Sequence, residues 1–275
     1  MHAGSENLPV VNAGPIREFL VFGWKQARSC IFAGSFFFVL LISKHVHIGS
    51  LARYDFILLA ALAIQFLLLA LRIETLAEAA VLTVFHLLGL GLEWFKTQPH
   101  IGSWSYPEAA FTKIGAVPLY SGFMYAAVAS YMCQSWRIMK LHLTGYPSQT
   151  LSLILSAAIY ANFFTHHWIG DFRWWLAGAV VVLFVRTRVH FTVIDRERSM
   201  PLVVSFGLIG FFVWVAENMA TFFGAWVYPN QQGAWASVST GKISSWGLLV
   251  IVTFILVADL KHVREGDAAV TGRRG

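Results

Sequence analysis

The sequence predicts an all-α fold, a polytopic membrane helix bundle of eight transmembrane helices arranged as two parallel four-helix repeats. Three observations predict it. The 275 residues are 57% hydrophobic and only 12% charged, with a mean hydropathy of +0.63, whereas a soluble domain carries roughly 25% charged residues. Eight long apolar runs consume nearly the whole chain and leave no room for a soluble domain. One ordered pattern, a Glu followed by Gly-x-Trp-x-Tyr-Pro, occurs twice: EWFKTQPHIGSWSYP at 93–107 and ENMATFFGAWVYP at 217–229.

The N-terminal 28 residues show no small-residue cleavage site behind an apolar core, so no cleavable leader is expected. Within them, PIREFLVFGWKQARS mixes apolar and basic residues and suits either an interfacial helix or a charged flank. The apolar runs then fall at roughly 29–43, 56–71, 77–95, 114–135, 149–165, 172–187, 202–221 and 243–259. Several hold about 16 residues, a little short of the roughly 20 that span the hydrocarbon, and flanking aromatic and small residues make up the difference. The expected organisation is a cytoplasmic segment (1–28), one transmembrane domain (29–260, repeat one about 29–140 and repeat two about 149–260), and a cytoplasmic tail (261–275).

With eight spans both termini share a side, and that side holds fourteen of the twenty Lys and Arg residues. Such an excess marks the cytoplasmic face. The net charge of +6 thus reads as a topology signal, and no nucleic-acid partner is expected. Cys30 and Cys133 stand alone among apolar neighbours and read as buried small side chains.

The duplication rests on spacing. Trp104 and Trp226 are 122 residues apart, and HVHIG (45–49) precedes HHWIG (166–170) by 121. Each repeat has an even number of spans, so the two enter the membrane in one sense and are related by an axis along its normal. The connection RTRVHFTVIDRERSM (186–200) reads as a charged cytoplasmic anchor.

The unusual chemistry gathers on the outer connections. One carries Glu93, His100, Trp104, Tyr106 and Glu108, a second His166, His167 and Asp171, and a third Glu217, Asn218, Trp226 and Tyr228. Nine of the eleven tryptophans lie on that side, which suits an aromatic-lined pocket opening outward, with a thick interfacial belt as the alternative. His86 and Glu93, seven residues apart, share a helix face, with Gly89 and Gly91 between them. An ionisable group within a bilayer marks a functional site by default, although a helix-end carboxylate and a backbone-bonded imidazole are the bland readings. The position seven before Glu217 is Gly210, so the two halves of a shared pocket are chemically unequal. Asn162 and His166 share a face at i, i+4, with His167 and Asp171 following. This spacing matches no strong metal signature; a hydrogen-bonded interfacial cluster is expected, with no metal and no cofactor. Tyr120, Ser121, Met124 and Tyr125 read as helix-packing contacts, and Gln65, Asp259, Glu74 and Glu78 as helix-end and interhelical groups.

LEWFKTQPHIGSWSYPE, IGAVPLYSGFMYAA, NFFTHHWIGDFRWW and GAWVYPNQ with the later TGKISSWGLL together resemble the YoaT-like family of uncharacterised bacterial integral membrane proteins. The resemblance covers most of the chain and implies a multi-pass protein of the bacterial inner membrane, with no activity attached. Glu93, Gly102, Trp104, Tyr106 and Val117-Pro118-Leu119 are also similar to one helix-loop-helix of carotenoid hydratase-type membrane enzymes, with Trp where tyrosine is usual and an altered loop length.

Hydration of an isolated alkene needs a proton donor near an apolar chain and a water beside the developing cation, which aromatic faces stabilise. Glu93, Glu217 and His86 are the candidate catalytic groups; Trp104, Tyr106, His100, Asn162, His166, Asn218, Trp226 and Tyr228 are the candidate substrate contacts. The expected partners are the lipid bilayer and a hydrophobic or amphipathic small molecule. An enzyme acting on a lipid or isoprenoid-like substrate, a proton-coupled carrier and a non-catalytic assembly or sensor protein all remain open at this point. An enzyme requires a closed inner half; a carrier requires polar groups throughout. The two motif loops are expected to face each other across the repeat axis, bringing Glu93 and Glu217 to one site where the carboxyls share a proton.

Overall fold

The computed structural model describes residues 14–271, and side chains as far as Asp259. The first thirteen residues of the N-terminal segment and the last four of the tail lie outside the described residues. So do the side chains of Lys261 and Arg264, which entered the basic-residue count.

The chain is mostly helical. Helix α1 (Pro15–Ser29) opens with proline at its first position, where no helical N–H is lost. It is followed by α2 (Ile31–Ile42), α3 (Arg53–Ala70), α4 (Leu76–Lys96), α5 (Gly122–Ile138), α6 (Gln149–Thr165), α7 (Arg173–Phe184), α8 (Leu202–Phe222) and α9 (Lys242–Thr271). Each apolar run of the sequence therefore contains a helix. Four of them, α3, α4, α8 and α9, are long and apolar enough to cross a membrane. The pair α1 and α2 passes that test jointly but bends by 66° between them, giving five at most among the described residues by length and composition.

α4 packs along α5, and α8 along α9; α2 lies on α3 and α5, while α6 lies on α7 and α9. α5 and α9 touch at the centre. The apolar window of α9 is 61% buried, against 22–33% for α3, α4 and α8. The outer helices accordingly present bare apolar side chains such as Phe66 (73% exposed) and Phe212 (66%). Apolar surface on this scale belongs against hydrocarbon rather than water.

Two small sheets depart from the all-α expectation. The run 114–135 does not begin as helix: β1 (Lys113–Ile114) and β2 (Val117–Pro118) form a hairpin, a 3-10 turn follows at Leu119–Ser121, and only then does α5 start. Gly115 takes a positive φ of 62° in that hairpin, and Pro118 has no N–H to give a helix. Asp55 of α3 fixes the segment from below, accepting the N–H groups of Phe111 at 2.9 Å and Thr112 at 2.8 Å.

The connection 186–200 is likewise structured. β4 (Arg188–Thr192) and β5 (Glu197–Pro201) form a hairpin, and β3 (His142–Thr144) joins its edge. Val189, Phe191 and Val193 alternate inward, and alternation is the signature of a half-buried strand. α1 covers the inner face: Phe22 meets Phe191 at 5.7 Å between ring centroids, Lys25 Nζ donates to the Thr192 carbonyl at 2.9 Å, and Arg198 pairs with Glu18 at 2.6 Å. The bundle thus has a loop face, carrying the two motif loops, and a sheet face at the opposite ends of the helices.

Candidate functional site

The two motif loops meet. Ser105 and Val227, which occupy the same place in the two Gly-x-Trp-x-Tyr-Pro motifs, form an antiparallel bridge, each N–H donating to the other's carbonyl at 2.9 Å. Gly102 and Gly224 both adopt positive φ (55° and 68°), which explains the glycine of the motif. At Gly224 the turn closes α8, with Ala225 N–H bonding to Ala220 O and Gly224 N–H to Thr221 O, the Schellman arrangement.

Under the loops, each glutamate is clasped by aromatic donors. Glu93 of α4 is 2% exposed. Its Oε2 accepts from Trp104 Nε1 at 2.6 Å and from the Tyr106 hydroxyl at 2.8 Å; its Oε1 accepts from the Tyr125 hydroxyl at 2.8 Å. Glu217 of α8 is 3% exposed and accepts from the Tyr228 hydroxyl and from Trp246 Nε1. The two nests adjoin: Trp104 meets Tyr228 edge-on at 6.1 Å, and Tyr125 meets Trp246 at 6.4 Å. Lys242 Nζ lies 4.8 Å from the Tyr228 ring and 5.7 Å from that of Trp104. Cation–π contact of this kind strengthens when water is excluded.

The remaining candidates take different places. His86 sits two turns inward on the Glu93 face, its ring edge-on to Phe123 at 4.5 Å, and its Nδ1 is buried without a hydrogen-bond partner. His100 is exposed on the loop. Asn162 ties the α6–α7 turn, accepting the Phe172 N–H at 3.1 Å, and Asn218 does the same for the following loop, accepting the Val238 N–H at 2.9 Å. Trp226 is buried in the main core, but no bond runs from its indole to Glu217; Trp246 of α9 holds that position instead.

His166 and His167 belong to a second group. Lys96, one turn beyond Glu93 and 4% exposed, points its Nζ at His167 Nε2 (2.9 Å) and His166 Nε2 (3.5 Å). Asp171, expected to bond these histidines, instead takes Arg173 at 2.5 Å. Burial, and then the Lys96 and His166 charges, press the His167 pKa down to about 4, so its ring is a neutral acceptor for the ammonium. An ammonium already occupies the lone pairs that a metal at this cluster would need.

Four residues of the site escaped the sequence reading: Tyr125, Trp246, Lys96 and Lys242. Tyr125 and Trp246 are 121 residues apart, the spacing of the HVHIG and HHWIG pair, so the repeat offset itself could have found them.

The mostly helical fold, its four or five candidate spans and its bare apolar helix faces fit the class of membrane proteins. A family model described as "Protein of unknown function (DUF817)" matches residues 18–254, and the chain belongs to that family. It is 52% identical over 250 residues to the "Uncharacterized protein YoaT" of Bacillus subtilis (strain 168), covering 91% of this chain and 94% of the relative. No solved structure matches the chain.

Proposed function

We propose that this protein is an eight-span, two-repeat enzyme of the bacterial inner membrane that performs acid/base chemistry on a lipid or isoprenoid-like substrate at the Glu93–Glu217 site. The observation that carries the proposal is the joined pair of aromatic nests. Each holds one carboxyl group among indole and phenol donors at a depth where an apolar chain is the natural neighbour. Aromatic faces suit a carbocationic intermediate, and a carboxyl group can deliver or remove the proton that makes or quenches it.

The packing supports two repeats. The contacts α4–α5 and α8–α9, α2–α5 and α6–α9, and α2–α3 and α6–α7 are matched pairs, with α5–α9 on the axis. The Ser105–Val227 bridge lies where that axis emerges. Eight crossings require α2, α5, α6 and α7, the shorter helices, to span with help from their caps.

Buried polar groups, Glu74, Glu78, Ser130 and Gln134, stand near the sheet face, but the packing directly below the nests supports an enzyme over a carrier. α4 and α5 are in close contact there: a Cβ on Gly89 would lie 2.3 Å from the Tyr125 ring, and one on Gly122 would lie 2.7 Å from His86. Phe85, Phe123, Ala126 and Ala127 fill the neighbouring space. Lipid extracts of a deletion strain and of a Glu93→Gln strain provide the test. Both should accumulate one apolar species that wild type converts, while Glu93→Gln protein remains in the membrane. A Glu93→Gln extract matching wild type would sink the catalytic assignment; solute flux through proteoliposomes would favour a carrier. Orientation is tested separately. Cysteines at Ser103 and Ser239 should react with an impermeant thiol reagent in intact cells, and one at Ser199 should not.

A further inference from the structure

On the sheet face, away from the carboxylate nests, three strands bring three metal-ligating side chains together. His142 of β3 and His190 of β4 are direct cross-strand partners, and Glu197 of β5 lies diagonally beside His190 in the same sheet. The imidazole rings stack at 4.6 Å with 10° between their planes. Glu197 Oε1 is 3.0 Å from His190 Nδ1, and Glu197 Oε2 is 3.7 Å from His142 Nε2. One ligand atom from each residue can be chosen so that all lie within 4.8 Å of one another.

We propose that His142, His190 and Glu197 form a three-ligand site for a borderline divalent transition metal of the Zn2+ class, leaving a fourth position open to solvent. Metal–ligand bonds of about 2.0–2.2 Å in tetrahedral geometry separate the ligand atoms by roughly 3.3–3.6 Å. The His190 and His142 contacts, 3.0 and 3.7 Å, run to the two different oxygens of Glu197. With one ligand atom from each residue the set lies within 4.8 Å, looser than that value. Closing the remaining gap takes side-chain rotation, since the strand register already fixes the Cβ atoms on one face.

The surroundings fit the same ligand. Thr144 Oγ1 lies 2.9 Å from His190 Nε2. With a metal on Nδ1 the ring carries its proton on Nε2, and the Thr144 hydroxyl stands where it would accept that Nε2–H, the usual way an outer group orients a ligating histidine. Two imidazoles and one carboxylate suit zinc, cobalt, nickel or copper better than calcium or magnesium, which prefer oxygen alone. The ligands come from two separate connections, α5–α6 and α7–α8, so a bound ion would staple β3 to the β4–β5 hairpin in addition to the strand pairing.

The test is titration of tag-free, detergent-solubilised full-length protein, first stripped with chelator, with Zn2+ and with Co2+. The expected result is one equivalent bound, with Co2+ giving the intense visible absorption of a four-coordinate ion. His190→Ala should abolish that equivalent, Glu197→Gln should weaken it at least tenfold, and Thr144→Val, a positioning change, should weaken it by about tenfold. His166→Ala/His167→Ala should leave it intact. Absence of stoichiometric binding to folded wild type overturns the proposal. So does binding that survives His190→Ala or disappears in the His166/His167 variant, which would place the ion on the loop face. If His190→Ala fails to fold, Glu197→Gln and Thr144→Val decide alone, and unchanged affinity in both overturns it.

Discussion

The two glutamate nests are the same device built with different parts. In the first half Glu93 takes three donors, two from its own loop and one from α5. In the second half Glu217 takes two, one from its loop and one from α9. The donors on the neighbouring helices, Tyr125 and Trp246, stand at equivalent places, but the loop tryptophans do not act alike. Loop length accounts for this. Nine residues separate Glu93 from Gly102, but only seven separate Glu217 from Gly224. α4 ends at Lys96, soon after Glu93, and a longer loop runs to Gly102 and folds back, carrying Trp104 onto Glu93. α8 runs further past Glu217, to Phe222, its glycine turn follows directly, and Trp226 goes into the core. A two-residue difference therefore leaves Glu93 the more enclosed carboxyl group and Glu217 the one beside the Lys242 ammonium.

Removing the carboxyl groups should break this comparison most visibly. Each buried donor left without an acceptor costs about 1–3 kcal/mol. Glu93→Ala strands three donors and Glu217→Ala two, so circular dichroism melts in detergent should show the larger loss for Glu93→Ala. Equal losses, or a larger one at Glu217, would mean that the bonds seen around Glu93 do not hold it in solution.

Helix contacts sharpen the comparison at smaller cost. Gly89 lies against the Tyr125 ring, so Gly89→Ala must displace the side chain that also holds Glu93. Over-packing of this kind costs roughly 1–3 kcal/mol. At Gly210 of α8 the nearest atom to an added Cβ is Gly247 Cα at 3.0 Å, which a shift of a few tenths of an ångström relieves. Gly89→Ala should therefore lower the melting temperature, and Gly210→Ala should lower it by less. A reversed order would show that the α8–α9 contact, not α4–α5, is the rigid one.

Much of this was legible in the sequence because its signals are periodic. Apolar runs located the eight helices after α1, and one recurrent motif located both glutamates, both loops and their meeting. What escaped did so for identifiable reasons. Tyr125 and Trp246 sit within apolar helices, where an aromatic residue reads as packing until a carboxyl group is known to lie opposite. Lys96 and Lys242 stand at helix ends, where lysine ordinarily snorkels to water. The sheet at 142–144 and 188–201 pairs segments more than forty residues apart, and its short alternation was masked by the arginines that flank it. The hairpin before α5 was hidden because Ile-Gly-Ala-Val-Pro-Leu is apolar enough to pass for the start of a span.

The smallest effect concerns the cation cluster that the first half has and the second lacks. The residue equivalent to Lys96 in α8 is Ala220. His167 titrates at about 4 in the folded protein, pressed down by burial first and then by Lys96, His166 and His100, against about 6.5 when unfolded. Between those values the unfolded chain binds a proton that the folded one refuses, so stability rises with pH through this window and falls as pH drops from about 6.5 toward 4. Asp171 does not titrate in the same range: burial acts to raise its pKa, but hydrogen bonds from Arg173 outweigh that and hold it below the ordinary carboxylate value. The melting temperature of wild type should consequently decline between pH 7 and pH 4, and His167→Gln, which keeps an acceptor for Lys96 but cannot be protonated, should flatten the decline. The ring is largely exposed, so solvent screening keeps the change to a few degrees at most. An identical slope in His167→Gln would show that the imidazole and Lys96 are not in contact, and that this end of α4 is as plain as its counterpart in α8.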